Sequence, residues 1–238
     1  AANLNQLESF GITVLGSSMW EWFCECTSPS KNDMVYTTIG AFAVGEMFYR
    51  LSIEADEISR LFGYAISPPR LYTEWVSGER AHGTTGNIHE LSFKFSAGAA
   101  KTYTTFSSTF SDETENFPGF ISPELNIVYN DPYGWDSNTP YSQFEFTMGA
   151  AAGFGSGEGS TDSEKNIMHN VYIFSNGMLF SRAPDWGENK DTTIGFVFDY
   201  DFFWHSFMEL TSLSPGVAIK QRINYKNKSK IEWCDRSY

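Results

Sequence analysis

A chain of 238 residues has room for one large domain or two small ones, and its 41% hydrophobic and 17% aromatic content concentrates the apolar surface in rings. The 29 acidic against 16 basic residues leave a formal charge of −13, the wrong sign for tracking a phosphate backbone, which excludes nucleic acid as the expected partner. Such a composition fits either a carbohydrate-binding β-protein or a lipid-facing barrel with aromatic girdles, and does not separate the two.

The sequence opens at Ala1 without a basic segment, apolar run and small-residue cleavage site, as expected of a cut or processed N-terminus. From Leu4 to Ser59 apolar residues recur at helical spacing, whereas from about Ile88 they alternate. The change of period divides the chain into a helical block over 1–66, a connecting loop over 67–87 and an antiparallel β-barrel over 88–238, expected to be incomplete. Pro68, Pro69, Gly78, Gly83 and Gly86 punctuate the connection.

The first helix is expected over Leu4 to Glu25, apolar through Leu7, Phe10, Ile12, Val14, Leu15, Met19, Trp20, Trp22 and Phe23. Ser17, Ser18, Glu21 and Glu25 form one narrow polar seam on it. Pro29 ends it, and Ser30 to Asp33 supply capping oxygens for a second helix through Met34, Ile39, Phe42, Val44, Met47, Phe48 and Leu51. Gly40 and Gly45 permit another element to approach this second helix closely. Each helix reaches about 30 Å, enough for a bilayer core, but their acidic residues argue against simple lipid exposure. Cys24 and Cys26 stand too close to bridge and Cys234 makes the count odd, so all three read as structural thiols; no Cys or His partner sits at zinc spacing. No metal and no cofactor are expected.

Strands are expected at 88–96, 101–110, 121–129, 142–152, 168–175, 178–183, 193–204 and 215–226, eight being the smallest common barrel. In the clearest, Ile194, Phe196, Phe198, Tyr200 and Phe202 point one way and Gly195, Val197, Asp199, Asp201 and Phe203 the other. Phe144, Phe146, Met148 and Ala150 likewise oppose Gln143, Glu145, Thr147 and Gly149, and Val217, Ile219 and Ile223 oppose Ala218, Lys220, Arg222 and Asn224. In a soluble sandwich the charged face is the outside; in a membrane barrel it is the lumen, and the periodicity is identical in the two cases. Ser175-Asn176-Gly177 reads as a tight turn, with longer loops at Gly153 to Ser160 and Trp186 to Lys190.

Chemistry is sought first in the helical block, where Glu21 and Glu25 lie one turn apart, Asn32 and Asp33 follow Pro29, and Glu46 and Arg50 are spaced by four. Buried acids require a protonated carboxyl, a cation or an arginine. The cluster can hold helices together, line a lumen that binds solute or ion, or hydrolyse through paired carboxylates. No G-x-S-x-G elbow occurs, and His82, His89, His169 and His205 are scattered. A divalent cation on Glu21, Glu25 and Asp33 matches no loop motif. Pro132-Tyr133-Gly134-Trp135-Asp136 offers rings for a sugar, against which stands an interfacial belt or ordinary turn.

The ordered pattern W-E-x-x-x-E at Trp20, Glu21 and Glu25, P-S-x-N-D at Pro29 to Asp33, and G-E-x-x-Y-R-L-S at Gly45 to Ser52 resembles an uncharacterised bacterial family of outer-membrane proteins, a domain of unknown function. The resemblance spans roughly residues 1 to 75. It implies an outer-membrane setting and a β-rich body, and no activity or catalytic residue. The leading expectation is a mainly β protein: an antiparallel membrane β-barrel of about eight or more strands preceded by two N-terminal helices, in the bacterial outer membrane. It would act as channel, plugged transporter or envelope scaffold, with membrane lipid as partner and a small molecule, ion or glycan as candidate ligand. The alternatives are an envelope lipid or glycan hydrolase using the helical-block acids, and a soluble carbohydrate-binding β-sandwich.

Overall fold

The computed structural model describes residues 5–24, 31–99, 102–103, 115–116, 119–154, 169–187, 189–205, 208–224 and 230–237. Four helices, α1 (Gln6–Phe23), α2 (Lys31–Ala55), α3 (Arg60–Ile66) and α4 (Pro68–Ser77), precede a mainly β body. Its strands are β1 (Ile88–Ala99), β2 (Thr102–Tyr103), β3 (Glu115–Asn116), β4 (Gly119–Tyr129), β5 (Phe144–Phe154), β6 (His169–Arg182), β7 (Lys190–His205), β8 (Met208–Asn224) and β9 (Lys230–Ser237).

Helix α1 starts where Asn5 and Glu8 cap one another: the Glu8 amide donates to Asn5 Oδ1 at 2.9 Å and the Asn5 amide to Glu8 Oε2 at 2.8 Å. It runs antiparallel to α2, since Phe10 meets Phe42 edge-on at 5.4 Å and Gln6 reaches Glu46. The connecting loop expected over 67–87 is helical in its first half. Pro68 and Pro69 occupy the first turn of α4, where a missing N–H costs nothing, and Gly78 closes it with a left-handed φ of 70°. The prolines that signal a loop thus start a helix, and four helices replace the expected two.

Seven strands form one antiparallel sheet in the order β1-β4-β5-β6-β7-β8-β9, with β2 and β3 as a separate pair. Among the described residues β1 and β9 are its edges, so the sheet is open there where a closed barrel was expected, and one large sheet stands in place of the two facing sheets of a sandwich. Of the expected strand over 101–110, only Thr102–Tyr103 is described, and the expected loop over 153–160 lies outside the described residues beyond Phe154, which belongs to β5. Pro215 falls inside β8, just before the stretch paired with β9, where a strand tolerates a missing donor. Strand β9 has no counterpart in the expected set.

The Ser175-Asn176-Gly177 turn is absent: 168–175 and 178–183 are one continuous strand, β6. Gly177 pairs with Phe144 on one side and Phe198 on the other, and a Cβ there would collide with the Tyr141 ring. The glycine serves close approach. Tyr141 itself holds a φ of 55°, a strained conformation for a bulky residue, and is buried between Gly177, Met47 and Phe42.

The helices lie against the aromatic face of the sheet. Ala43, Met47 and Leu51 of α2 form one core with Ile127, Tyr129, Tyr141, Phe144 and Phe146, and Phe48 packs edge-on against Phe146 at 5.5 Å. Gly40 lets α2 approach Tyr200, whose ring lies 2.8 Å from where a Cβ would stand; Gly45 faces no neighbour within 4 Å. No helix among the described residues is long and apolar enough to cross a membrane.

Gly177→Ala is expected to destabilise by about 1–3 kcal/mol through overpacking against Tyr141. Gly45→Ala, on an open helix face, is expected to stabilise by up to about 1 kcal/mol. Paired denaturation midpoints in one solvent check both; equal tolerance at the two sites would contradict the packing at Gly177.

Candidate functional site

Alternation sends Glu145, Asn176, Asp199 and Ser214 to one face in register across β5 to β8. Lys220 lies six residues beyond Ser214 on β8, so a flat sheet would hold it about 25 Å from Glu145, beyond the reach of both side chains. Yet Lys220 Nζ and Glu145 Oε1 are 2.5 Å apart, and Lys220 is only 1% exposed. The sheet therefore coils about its polar face.

That coiling turns the polar residues inward. Gln143 Oε1 accepts from Lys220 at 3.4 Å, and Asn176 Nδ2 donates to Asp199 Oδ1. Toward β1, Glu124 accepts from Lys94 at 3.0 Å, Asn126 at 2.8 Å and the Tyr172 hydroxyl at 2.8 Å. A cavity of about 400 Å³ opens in this face, lined by Glu145, Thr147, Phe174, Asn176, Asp199, Asp201 and Ser214. Of its three carboxylates, that of Glu145 pairs with the buried ammonium of Lys220.

The segment between β4 and β5 closes over one end of the polar face. The Trp135 amide donates to Thr193 Oγ1 at 2.9 Å and its indole to Ser142 Oγ at 3.1 Å. Arg222 bridges Asp131 at 3.0 Å and Asp191 at 2.9 Å while lying over the Tyr133 ring. Within Pro132 to Asp136, the Tyr133 ring thus packs under Arg222 of β8 and the Trp135 indole bonds to Ser142 of the same segment, while the Trp135 amide ties the segment to β7.

The helical-block candidates separate. Glu46 and Arg50 pair at 2.9 Å, and Gln6 and Arg50 both donate to the Pro140 carbonyl, at 3.0 and 3.4 Å, tying α1 and α2 to the β4–β5 segment. Glu21 is the buried residue of α1, fifteen positions and about 22 Å along that helix from Gln6. Glu25, and the side chains of Asn32 and Asp33, lie outside the described residues, as do Cys26 and the Cys234 side chain; Cys24 is exposed. Glu21 and Glu46, the two described acids, do not stand together as a paired-carboxylate site requires.

Two residues that sequence reasoning passed over, Arg70 of α4 and Glu54 of α2, fasten the helices to one another and to the entry of the sheet. Arg70, fully buried, donates to the Ser52 carbonyl at 3.0 Å, pairs with Glu74 at 2.7 Å and contacts Asp56. Its i,i+4 spacing to Glu74 was a readable signal. Glu54 accepts from the Gly86 and Asn87 amides at 2.8 and 3.0 Å, fixing the entry to β1. Burial pushes the Glu74 carboxyl up, but hydrogen bonds from Arg70, Tyr64 and the Ala81 amide outweigh it and hold it below the ordinary 4.5. Among the described residues, no group of three or more His, Cys, Asp or Glu stands close enough to hold a metal ion.

The family described as "Domain of unknown function (DUF3943)" matches residues 1–66, the helical block up to the end of α3. No curated protein and no solved structure matches the chain.

Lys220→Ala strands Glu145 and Gln143 without their cation and is expected to cost about 2–4 kcal/mol, with much of it regained when Glu145→Gln is added; a double-mutant cycle reads the coupling. Because the folded Glu74 value is depressed, its contribution is present above pH 4.5 and lost as pH falls through the folded value. The stability advantage over Glu74→Gln should therefore hold above pH 4.5 and shrink as pH falls through the depressed folded value, in denaturation series run from neutral pH downward.

Proposed function

We propose that the chain is part of an outer-membrane β-barrel whose polar interior admits or binds a solute, as a channel or plugged transporter. The supporting observation is the inverted polarity of the coiled sheet: the Lys220–Glu145 ion pair and the hydrogen-bonded Asp199 and Asn176 inside, rings outside. Phe93 of β1 is 68% exposed on the outer face, with Leu91 and Phe95 beside it. In water this arrangement leaves apolar surface bare; against lipid it is the expected one.

Strand length is consistent with the same reading. A tilted membrane strand needs about 9–11 residues, and β6, β7 and β8 have 14, 16 and 17. Helix α1 adds outward apolar surface, with Leu7 83%, Trp22 66% and Phe23 81% exposed. The reading requires that the open edges β1 and β9 be closed by further strands or a second copy, because lipid satisfies no backbone group.

Fractionation of expressing cells, detergent extraction and comparison of heated with unheated gel mobility test the proposal. Recovery with the outer membrane and heat-dependent mobility is the expected result, followed by conductance in planar bilayers. Recovery as a detergent-free soluble monomer would overturn it.

A further inference from the structure

We propose that the cavity on the polar face binds an organic cation, an amine or guanidinium on a small molecule, held by Asp199, Asp201 and Glu145. This deepens the reading of that face as an interior that handles a solute, and rests on it. Asp199 and Asp201 lie two residues apart on β7, so alternation aims both carboxylates into the same space, and Glu145 enters from β5. Lys220 neutralises one carboxylate of the three.

The hydrogen-bond inventory names the missing chemistry. Asp199, 7% exposed, uses Oδ1 to accept from Asn176, while its Oδ2 meets no donor among the described residues. Asn176 is equally buried, and its Oδ1 also lacks a donor. Both atoms belong to residues lining the cavity, and both are acceptors. Buried acceptors without donors are costly, so the fitting occupant donates hydrogen bonds and carries positive charge.

Size and lining decide what kind of cation. A cavity of about 400 Å³ exceeds what a bare ion fills, and no described group of acids is close enough to chelate a metal. Phe174 contributes an aromatic ring and Thr147 and Ser214 hydroxyls, which suit a cation on a carbon frame. An anionic solute would meet two uncompensated carboxylates.

Calorimetric titration of the purified chain with agmatine, with glutarate as the anionic control and calcium as the metal control, tests the proposal. Saturable agmatine binding is expected, weakened at least about tenfold by Asp201→Asn and kept within about threefold by the charge-preserving Asp201→Glu. Asp201 is only half-buried, so its variants should fold; Ser214→Lys, which places an ammonium in the cavity, is expected to abolish binding independently. No agmatine binding, binding indifferent to Asp201→Asn, or tighter binding of glutarate or calcium would overturn it. The titration is run on whichever form the fractionation yields. A heat-modifiable membrane protein that ignores agmatine thus loses only the ligand assignment, and a soluble protein that binds it loses only the membrane reading.

Discussion

The sidedness of the sheet depends on one buried contact. Alternating residues give the central strands an apolar and a polar face, and nothing in that alternation says which face a curved sheet turns inward. The Lys220–Glu145 pair decides it, because three strands and six residues of offset are bridged only by coiling around the polar side. An ammonium that is 1% exposed is tolerable only with its carboxylate in contact, so coil and ion pair require each other.

With that side turned inward, the aromatic face becomes the ground on which the helices sit. Met47 and Phe48 of α2 meet Tyr141 and Phe146, and the approach is close because Gly40 and Gly177 have no side chain where rings pass. The strained φ of Tyr141 is held by burial between helix and strand, while Glu46, Arg50 and Gln6 fasten the same segment through the Pro140 carbonyl. The segment from Asn130 to Gln143 thus links the helical block to the polar interior: one end packs under α2, the other delivers Trp135 and Asp131 to Thr193 and Arg222.

Much of this architecture was legible because it follows from period. Two N-terminal apolar helices, the clear strand through Ile194 and Phe202, and the opposition of Phe144 and Phe146 to Glu145 all follow from spacing alone. What period could not supply is what a local signal means in three dimensions. Asn176-Gly177 carries the residues of a hairpin turn, yet the glycine is there for a ring that approaches from 36 residues earlier in the chain. Pro68-Pro69 reads as a break and is a helix start because both donors would be idle in the first turn anyway. The helical-block acids drew attention through their unusual neighbours, whereas Asp199 and Asp201 looked like ordinary members of a polar face; only curvature makes their surroundings unusual.

The same curvature bears on the chain's charge. Most of an excess of thirteen negative charges can be left to solvent, where screening makes it cheap. Buried acids lining a cavity are a different matter, since each keeps its desolvation cost unless a donor or a cation answers it. The fold does answer several of its buried charges: Arg70 finds Glu74, Asp56 and Ser52, Arg222 finds Asp131 and Asp191, and Lys220 finds Glu145 and Gln143. Among the described residues Asp199 is answered on one oxygen by an amide and not on the other, although its strand neighbours Val197 and Phe203 show that an apolar residue fits the same face. An aliphatic side chain at that position would remove the carboxylate's cost but leave the buried Asn176 amide without its acceptor. The Asn176 amide accounts for one oxygen of the carboxylate, and the cation proposed for the cavity accounts for the other.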